Sequence, residues 1–346
     1  MSPPPAVLGW DIGGVNTKVA RLSSDHDGSL LQTASLPYEI KRNPAALATT
    51  LRQAARSVGN QGGDLHAVTM TGELSQAFRT KREGVAFILD AMEEAFEGDP
   101  LKVYSVDGTF VTPKTARDLP LSVAAANWVA TSAFIARMLP TCVLLDIGST
   151  SADLIPIVNG RVAAEGRSDP ARLLSGELVY TGAVRTPVEA VTGEVPLWGG
   201  KAGIGADGFA LIGDAHLWLG HIAPADYSCA TPDGIPPTRE SAGERLARVV
   251  CGDREMLDDT AVHDIAVALV QAQIATVSRA LGRVLARWPT IDTAVVAGTG
   301  DFIAANAATA SKLRIVRLSD RLGEAARAAP ATAVAWLLRL DGEPAT

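Results

Sequence analysis

The sequence predicts an α/β protein made of two related halves. Three observations carry that prediction. Apolar runs of strand length alternate with amphipathic helical stretches along most of the chain. The strand end Asp11-Ile12-Gly13 returns as Asp146-Ile147-Gly148, an offset of 135 residues (146 minus 11). After each copy a turn of small residues leads into another apolar strand, "TKVARL" in the first half and "ADLIPI" in the second.

The elements follow in order. "AVLGWDI" and "TKVARLS" read as strands about a Gly13-Gly14 turn, with "SLLQTASLPYE" as a third. Asn43-Pro44 opens a helix that runs to about Val58 and stops at Gly59, since Asn caps well and Pro is tolerated in a first turn. "LHAVTMTGE" is a buried strand ending at Thr71-Gly72-Glu73, "GVAFILDAMEEAF" a helix and "LKVYSVDG" a strand. "LSVAAANWVATSAFIARML" is an Ala-rich helix ended by Pro140.

The second half repeats the start with "TCVLLDIGST", "ADLIPIVNG" turning at Asn159-Gly160, and "RVAAEGRS". Residues 169–258, rich in Gly, Pro and Trp, read as an irregular insertion. A long helix follows, with Val262, Ile265, Leu269, Val277, Leu281, Val284 and Trp288 on one stripe. "TAVVAGTGD", "FIAANAATA", "LRIVRL" and "EAARAAPATAVAWLLRL" close the chain, and Pro330 kinks or splits the last helix. Each half should pair its first three strands as an antiparallel meander and return its later strands through helices. The expected domains are 1–138 and 139–346, with a central cleft between them.

Bulk composition narrows the function classes. The chain has 346 residues, 47% hydrophobic and 20% charged, with a net charge of −7. No Lys/Arg cluster favours nucleic acid or an anionic membrane. Cys142, Cys229 and Cys251 are scattered and odd in number, which argues against a disulfide framework. "MSPPPAVLGW" lacks the features of a signal peptide, and no apolar run reaches the ~18 residues of a membrane span. A cytoplasmic protein is expected, and an oligomer is compatible with the sequence.

The chemistry concentrates in glycine turns. Asp11 ends a buried strand before Gly13 and Gly14, whose missing side chains let backbone N–H groups approach an anion. Thr17 and Lys18 add a hydroxyl and a positive charge. An acid beside a phosphate implies a divalent cation, so Asp11 and Asp146 are candidate Mg²⁺ ligands. The second turn supplies Gly148, Ser149, Thr150 and Ser151. Facing turns would clamp a diphosphate from both sides, whereas a single turn could be a hairpin whose Asp caps its own backbone. Gly298, Thr299 and Gly300, before Asp301, form a third turn that could take a nucleotide at a helix N-terminus or serve only as a connection. Asp214, His216, His221, Cys229 and Asp233 match no zinc spacing.

"DIGGVNTK", "DIGSTSAD" and "AGTGD", in this order, resemble the actin-like ATPase superfamily, which implies duplicated RNase-H-like domains. "TMTGELSQAF", "AAANWVATS", "DIGSTSADLIPIVNGR" and "RLLSGELVYTGAVRTPV" resemble one branch of it, the hydantoinase/oxoprolinase-like family linked to tetrahydromethanopterin C1 transfer. Archaeal members act in methanofuran biosynthesis, joining an aminomethylfuran-methyl diphosphate to a phenol with release of diphosphate. "GADGFALIGDAHLWLG" departs from the more acidic helix of relatives, so no substrate contact is carried over there.

That resemblance implies a transferase whose partners are a small-molecule diphosphate and a phenolic acceptor, γ-glutamyltyramine or a tyrosine-like analogue. Mg²⁺ is the expected cofactor, and ATP is compatible but not required. Glu73, at the carboxyl edge of its strand, is the candidate base for the phenolic proton, with Asp11 and Asp146 catalytic through the cation. Glu73 could also simply favour a helix N-terminus. Asn127, Arg172, Glu177, Tyr180 and Arg185 are candidate substrate contacts, the arginines for anion capture. Trp128 is expected in the core. Two other functions use the same turns: an ATP-dependent small-molecule kinase, and a nucleotide-sensing regulator.

Overall fold

A computed structural model describes residues 5–25, 28–60 and 62–341. The first sheet contains β1 (Val7–Ile12), β2 (Asn16–Asp25), β3 (Gly28–Pro37), β4 (Leu65–Met70), β5 (Leu101–Tyr104) and β6 (Phe110–Val111). Their order is β3-β2-β1-β4-β5-β6. The meander β1–β3 is antiparallel, and β4 and β5 add in parallel. Helices α1 (Leu47–Ser57) and α2 (Lys81–Ala95) make the crossovers, and α3 (Pro113–Asp118) and α4 (Asn127–Met138) follow.

The second sheet contains β7 (Cys142–Ile147), β8 (Ala152–Val158), β9 (Arg161–Val162) and β10 (Leu178–Val179), the last reached after α5 (Asp169–Ser175). A separate hairpin, β11 (Glu194–Leu197) and β12 (Gly200–Gly203), precedes α6 (Ile212–Trp218), α7 (Arg239–Arg248) and α8 (Asp259–Arg287). The sheet resumes with β13 (Thr293–Ala297), then α9 (Asp301–Ala310) and β14 (Arg314–Arg317). Its order is β10-β8-β7-β13-β14, with β9 beside β8. In both sheets the first strand is central, with the second strand on one side and two parallel strands on the other. This is the duplicated RNase-H-like fold that the sequence predicted.

The cores explain these elements. Leu8, Trp10 and Ile12 of β1 pack with Leu51 of α1 and with Ile88 and Leu89 of α2. Helix α8 is long and apolar enough to cross a membrane by length and composition alone. Here Val262, Ile265, Leu269 and Val270 instead join the core formed with α6 and α7.

Two expectations about the elements change, and the compact units are drawn differently from the expected domains. The chain divides into one unit of Met1–Cys142, Ile155–Arg172 and Leu318–Thr346, and another of Val143–Leu154 and Leu173–Arg317. The C-terminal segment therefore joins the first half instead of ending the second. Its helices α10 (Ser319–Leu322) and α11 (Ala329–Asp341) follow β14. Gly9 of β1 admits α11 so closely that a Cβ there would lie 1.9 Å from the Ala331 carbonyl oxygen. Pro330 falls in the first turn of α11, after a 3₁₀ segment, so it splits the last helix as anticipated.

The 169–258 stretch is more regular than expected, because α5, α6 and α7 are helical and β10 completes a sheet. The Ala-rich helix begins only at Asn127. Upstream, Ala124 bridges to Met70 and Ala125 takes a positive φ of 52°, which a continuous helix cannot accommodate.

Candidate active site

In the first unit, β1 and β2 meet at a turn closed by the Gly13 N–H, which donates to the Asn16 carbonyl at 2.9 Å. Asp11 pairs with Lys18 across β2 and with Thr69 across β4, so all three share one row of the sheet. Lys18 Nζ lies 4.0 Å from Asp11 Oδ2. Asp11 Oδ1 and Thr69 Oγ1 are buried without a hydrogen-bond partner. Burial pushes the Asp11 carboxyl above its usual range, and Lys18 partly opposes this.

An orphaned carboxylate oxygen beside a lysine and an open glycine turn suits a hydrated Mg²⁺ carrying phosphate, which needs only one or two protein carboxylates. No group of three or more His, Cys, Asp or Glu side chains suited to a metal occurs among the described residues. Thr17 lies in the adjacent row with Ile12 and Met70, fully buried, so its hydroxyl does not share the Asp11 row.

The same turn packs against the end of β4. The Thr71 N–H donates to the Ile12 carbonyl at 3.0 Å. A Cβ on Gly72 would come within 3.1 Å of the Gly13 and Ile12 carbonyl oxygens. Glu73 follows, only 1% exposed, with neither carboxylate oxygen in a hydrogen bond. Burial drives its carboxyl up to about 7, against the opposing pull of Lys81.

Lys81 Nζ stands 3.4 Å from Glu73 Oε1 and 2.7 Å from Asp169 Oδ2. Asp169 Oδ1 in turn accepts from Arg172 at 2.9 Å. Burial pushes the Asp169 carboxyl up, but Lys81 and Arg172 outweigh it and hold the group below the usual carboxylate range. The Arg172 guanidinium lies 4.5 Å over the Trp128 ring. Trp128 is thus in the core, as expected, and also a platform for Arg172. Asn127 begins α4 just after the Met70–Ala124 bridge, half-buried.

In the second unit the Gly148 N–H donates to the Ser151 carbonyl, again at 2.9 Å. Two segments pack onto this turn. The N–H groups of Val184 and Arg185 both donate to the Ser149 carbonyl, at 3.1 and 2.8 Å. A Cβ on Gly182 would lie 2.5 Å from the Thr150 nitrogen. From the other segment, the Gly300 N–H donates to the Ile147 carbonyl at 2.8 Å, and a Cβ on Gly298 would lie 2.6 Å from Asp146 Oδ1. Asp146, Gly148, Ser149, Thr150, Ser151, Arg185, Gly298, Thr299 and Gly300 therefore form one local cluster.

Two proposed substrate contacts do not join it. Glu177 is fully buried, accepting from Ser175 Oγ at 2.8 Å and from Arg287 at 3.1 Å. Both carboxylate oxygens are thus engaged by side chains of the fold. Tyr180 is 61% exposed. Of the loop residues weighed for zinc, Asp214 is bound by Arg245 and Tyr227, and His216 by Gln273.

Lys81 and Asp169 escaped the sequence reading. Register also relates the segments that follow β4 and β13. Asp11 pairs with Thr69, and Asp146 with Ala297, so Thr71-Gly72-Glu73 and Thr299-Gly300-Asp301 occupy equivalent places in the two halves. Asp301 spends its charge on Arg317 at 2.6 Å, whereas Glu73 faces Lys81 in the interior.

Comparison with known proteins agrees with this architecture. The hydantoinase/oxoprolinase family pattern matches residues 64–340. The chain is 34% identical over 335 residues to the (4-{4-[2-(gamma-L-glutamylamino)ethyl]phenoxymethyl}furan-2-yl)methanamine synthase of Methanocaldococcus jannaschii, covering 96% of this chain and 97% of that one. It is 30% identical over 203 residues to the enzyme of the same name from Methanococcus vannielii, covering 57% of this chain and 90% of that one. A nucleotide-free acetone carboxylase structure shares the fold at a TM-score of 0.57 and 12% identity, over 95% of this chain and 70% of that chain. Likeness to the synthases over nearly the whole length supports an enzymatic, biosynthetic role, and the chain belongs to the hydantoinase/oxoprolinase family.

Proposed function

We propose that the protein is a transferase of methanofuran or methylofuran biosynthesis that joins an aminomethylfuran-methyl diphosphate to a phenolic acceptor. The bond from the furan-bearing carbon to the diphosphate oxygen breaks, with its electron pair leaving on diphosphate. The phenol oxygen bonds to that carbon, whose developing positive charge the furan ring delocalises. The phenolic proton passes to Glu73. The observation that carries this reading is Glu73 itself: a buried carboxyl with no hydrogen-bond partner, held near 7, at the carboxyl edge of β4. Such a group is poised to accept a proton at neutral pH.

Lys18 and the Gly14 N–H hold the diphosphate, on a turn that the Gly13 N–H closes by donating to the Asn16 carbonyl. Mg²⁺, bound through Asp11, would offset the charge of the leaving group. In the second unit, the Gly148–Ser151 turn with Asp146 and Arg185 offers a further anion cradle. Asn127 faces the acceptor. The acceptor is γ-glutamyltyramine or a tyrosine-like analogue, a reading supported by the similarity to the M. jannaschii synthase.

The test is direct. The full chain is incubated with the furan diphosphate, the phenol and Mg²⁺, without ATP. Ether formation with release of diphosphate supports the proposal. Product that appears only with ATP overturns it in favour of phosphoryl transfer. ATP binding with no reaction of either substrate favours nucleotide sensing.

A further inference from the structure

Lys81 occupies an awkward place for a lysine. It is the first residue of α2, where the helix dipole disfavours a cation. The capping there is done by others: the Thr80 side chain accepts from the Glu83 N–H. Lys81 therefore does not serve its own helix. Its ammonium instead reaches two carboxylates, Glu73 at 3.4 Å and Asp169 at 2.7 Å.

The placement is braced from both sides. A Cβ on Gly84 would lie 2.5 Å from the Glu73 carbonyl oxygen and 2.6 Å from its Cα, so the first turn of α2 is locked onto the Glu73 backbone. Asp169 is anchored in turn, with one oxygen on Lys81 and the other on Arg172, whose guanidinium rests on Trp128. The ammonium is thereby held by Asp169 at hydrogen-bond distance and kept slightly farther from Glu73.

We propose that Lys81, moored by Asp169, is a positioning residue that sets how readily Glu73 gives up and takes back a proton. This rests on Glu73 being the base. The charged groups acting on Glu73 are Lys81 from α2 and Asp169 from α5, and they act in opposite directions. Lys81 favours the carboxylate. Asp169 disfavours it, by its own charge and by drawing the ammonium away.

The two partners therefore predict opposite outcomes. Lys81→Met should move the Glu73 titration upward, and Asp169→Asn should move it downward, each by about one pH unit or more. Lys81→Arg should restore most of the wild-type midpoint. The readout is ¹³C NMR of labelled glutamate carboxyls in the full chain, with the Glu73 signal assigned by its loss in Glu73→Gln. Lys81→Gln provides a second variant should Lys81→Met fail to fold. The pH profile of kcat/KM is measured in parallel.

Opposite displacements support the proposal. Unmoved midpoints, or displacements in the same direction, overturn it. If the NMR midpoints move as stated while the pH profile stays fixed, the assignment of Glu73 as the base fails and the Lys81–Asp169 coupling stands.

Discussion

The two halves build the same turn and then use it differently. Gly13 and Gly148 close their turns with matching N–H bonds at 2.9 Å, 135 residues apart. Beyond that bond the surroundings diverge. The first turn has its acid in a row with Lys18 and an unpartnered threonine, and its neighbouring strand ends in the interior at Glu73. The second turn is covered by the 182–185 segment and by Gly298, and its neighbouring strand ends in the Asp301–Arg317 pair. The two halves share the glycine turn, and the first ends its neighbouring strand in a buried carboxyl that faces a lysine.

The sharpest way to break this contrast is Glu73→Gln. It should lower kcat by about 10²–10⁴-fold, the usual worth of a general base. The equivalent Asp301→Asn should leave kcat within a few-fold. Wild-type activity should rise with pH through about 7, as Glu73 ionises. Stability should run the other way. Because folding raises the Glu73 carboxyl from 4.5 to about 7, the protonated form is favoured in the folded state. Stability is then full below about 4.5 and is lost as pH rises through 7. Glu73→Gln should recover up to about 3 kcal/mol above pH 7 and nothing at pH 4, measured by denaturant melts. Equal stability of the two proteins at pH 8 would show that burial of this carboxyl is not the controlling force.

The glycines offer the next test. Gly298 has a φ of +86°, and a Cβ there would meet the Ile147 carbonyl oxygen at 2.3 Å. Gly298→Ala should cost roughly 2–5 kcal/mol, from backbone strain and overpacking. At Gly14 the nearest atom to an added Cβ is Ser75 Cβ at 4.0 Å. Gly14→Ala should leave stability almost unchanged and weaken diphosphate binding, because the methyl would stand where the ligand approaches. Asp11→Asn should reduce Mg²⁺-dependent diphosphate affinity by at least about tenfold, the lower bound for losing even a group that only supports a metal ligand. Calorimetry with diphosphate, with and without Mg²⁺, checks both variants.

Much of this was legible in sequence because it is local. A strand that ends in an acid and glycine announces its turn, and the echo at Asp146 announces the duplication. Asn159-Gly160 turned as expected, both residues at positive φ. What was not legible depends on distant partners. Glu177 reads as a candidate substrate contact, with no sign in the sequence of its pairing with Arg287, 110 residues away. Lys81 carries no signal in the sequence, because its partner Asp169 lies 88 residues away. The return of the C-terminal helices to the first half depends on fits between distant residues, such as Gly9 against Ala331 and Ala20 against Ala328, which no local pattern announces.

Thr17 gives the smallest effect and the cleanest discrimination. By spacing it belongs to the turn that holds the anion, and by register it belongs to the core. Its hydroxyl is fully buried without a partner, in the row of Ile12 and Met70. A buried unsatisfied hydroxyl costs free energy, and Val fills nearly the same shape without that group. Thr17→Val should therefore be neutral or stabilise the fold by about 1 kcal/mol, and should leave Mg²⁺-diphosphate affinity unchanged. A clear loss of affinity at unchanged stability would return Thr17 to the ligand. It would also mean that the first turn binds anions from both rows of its sheet, and the contrast between the halves would then rest on Glu73 alone.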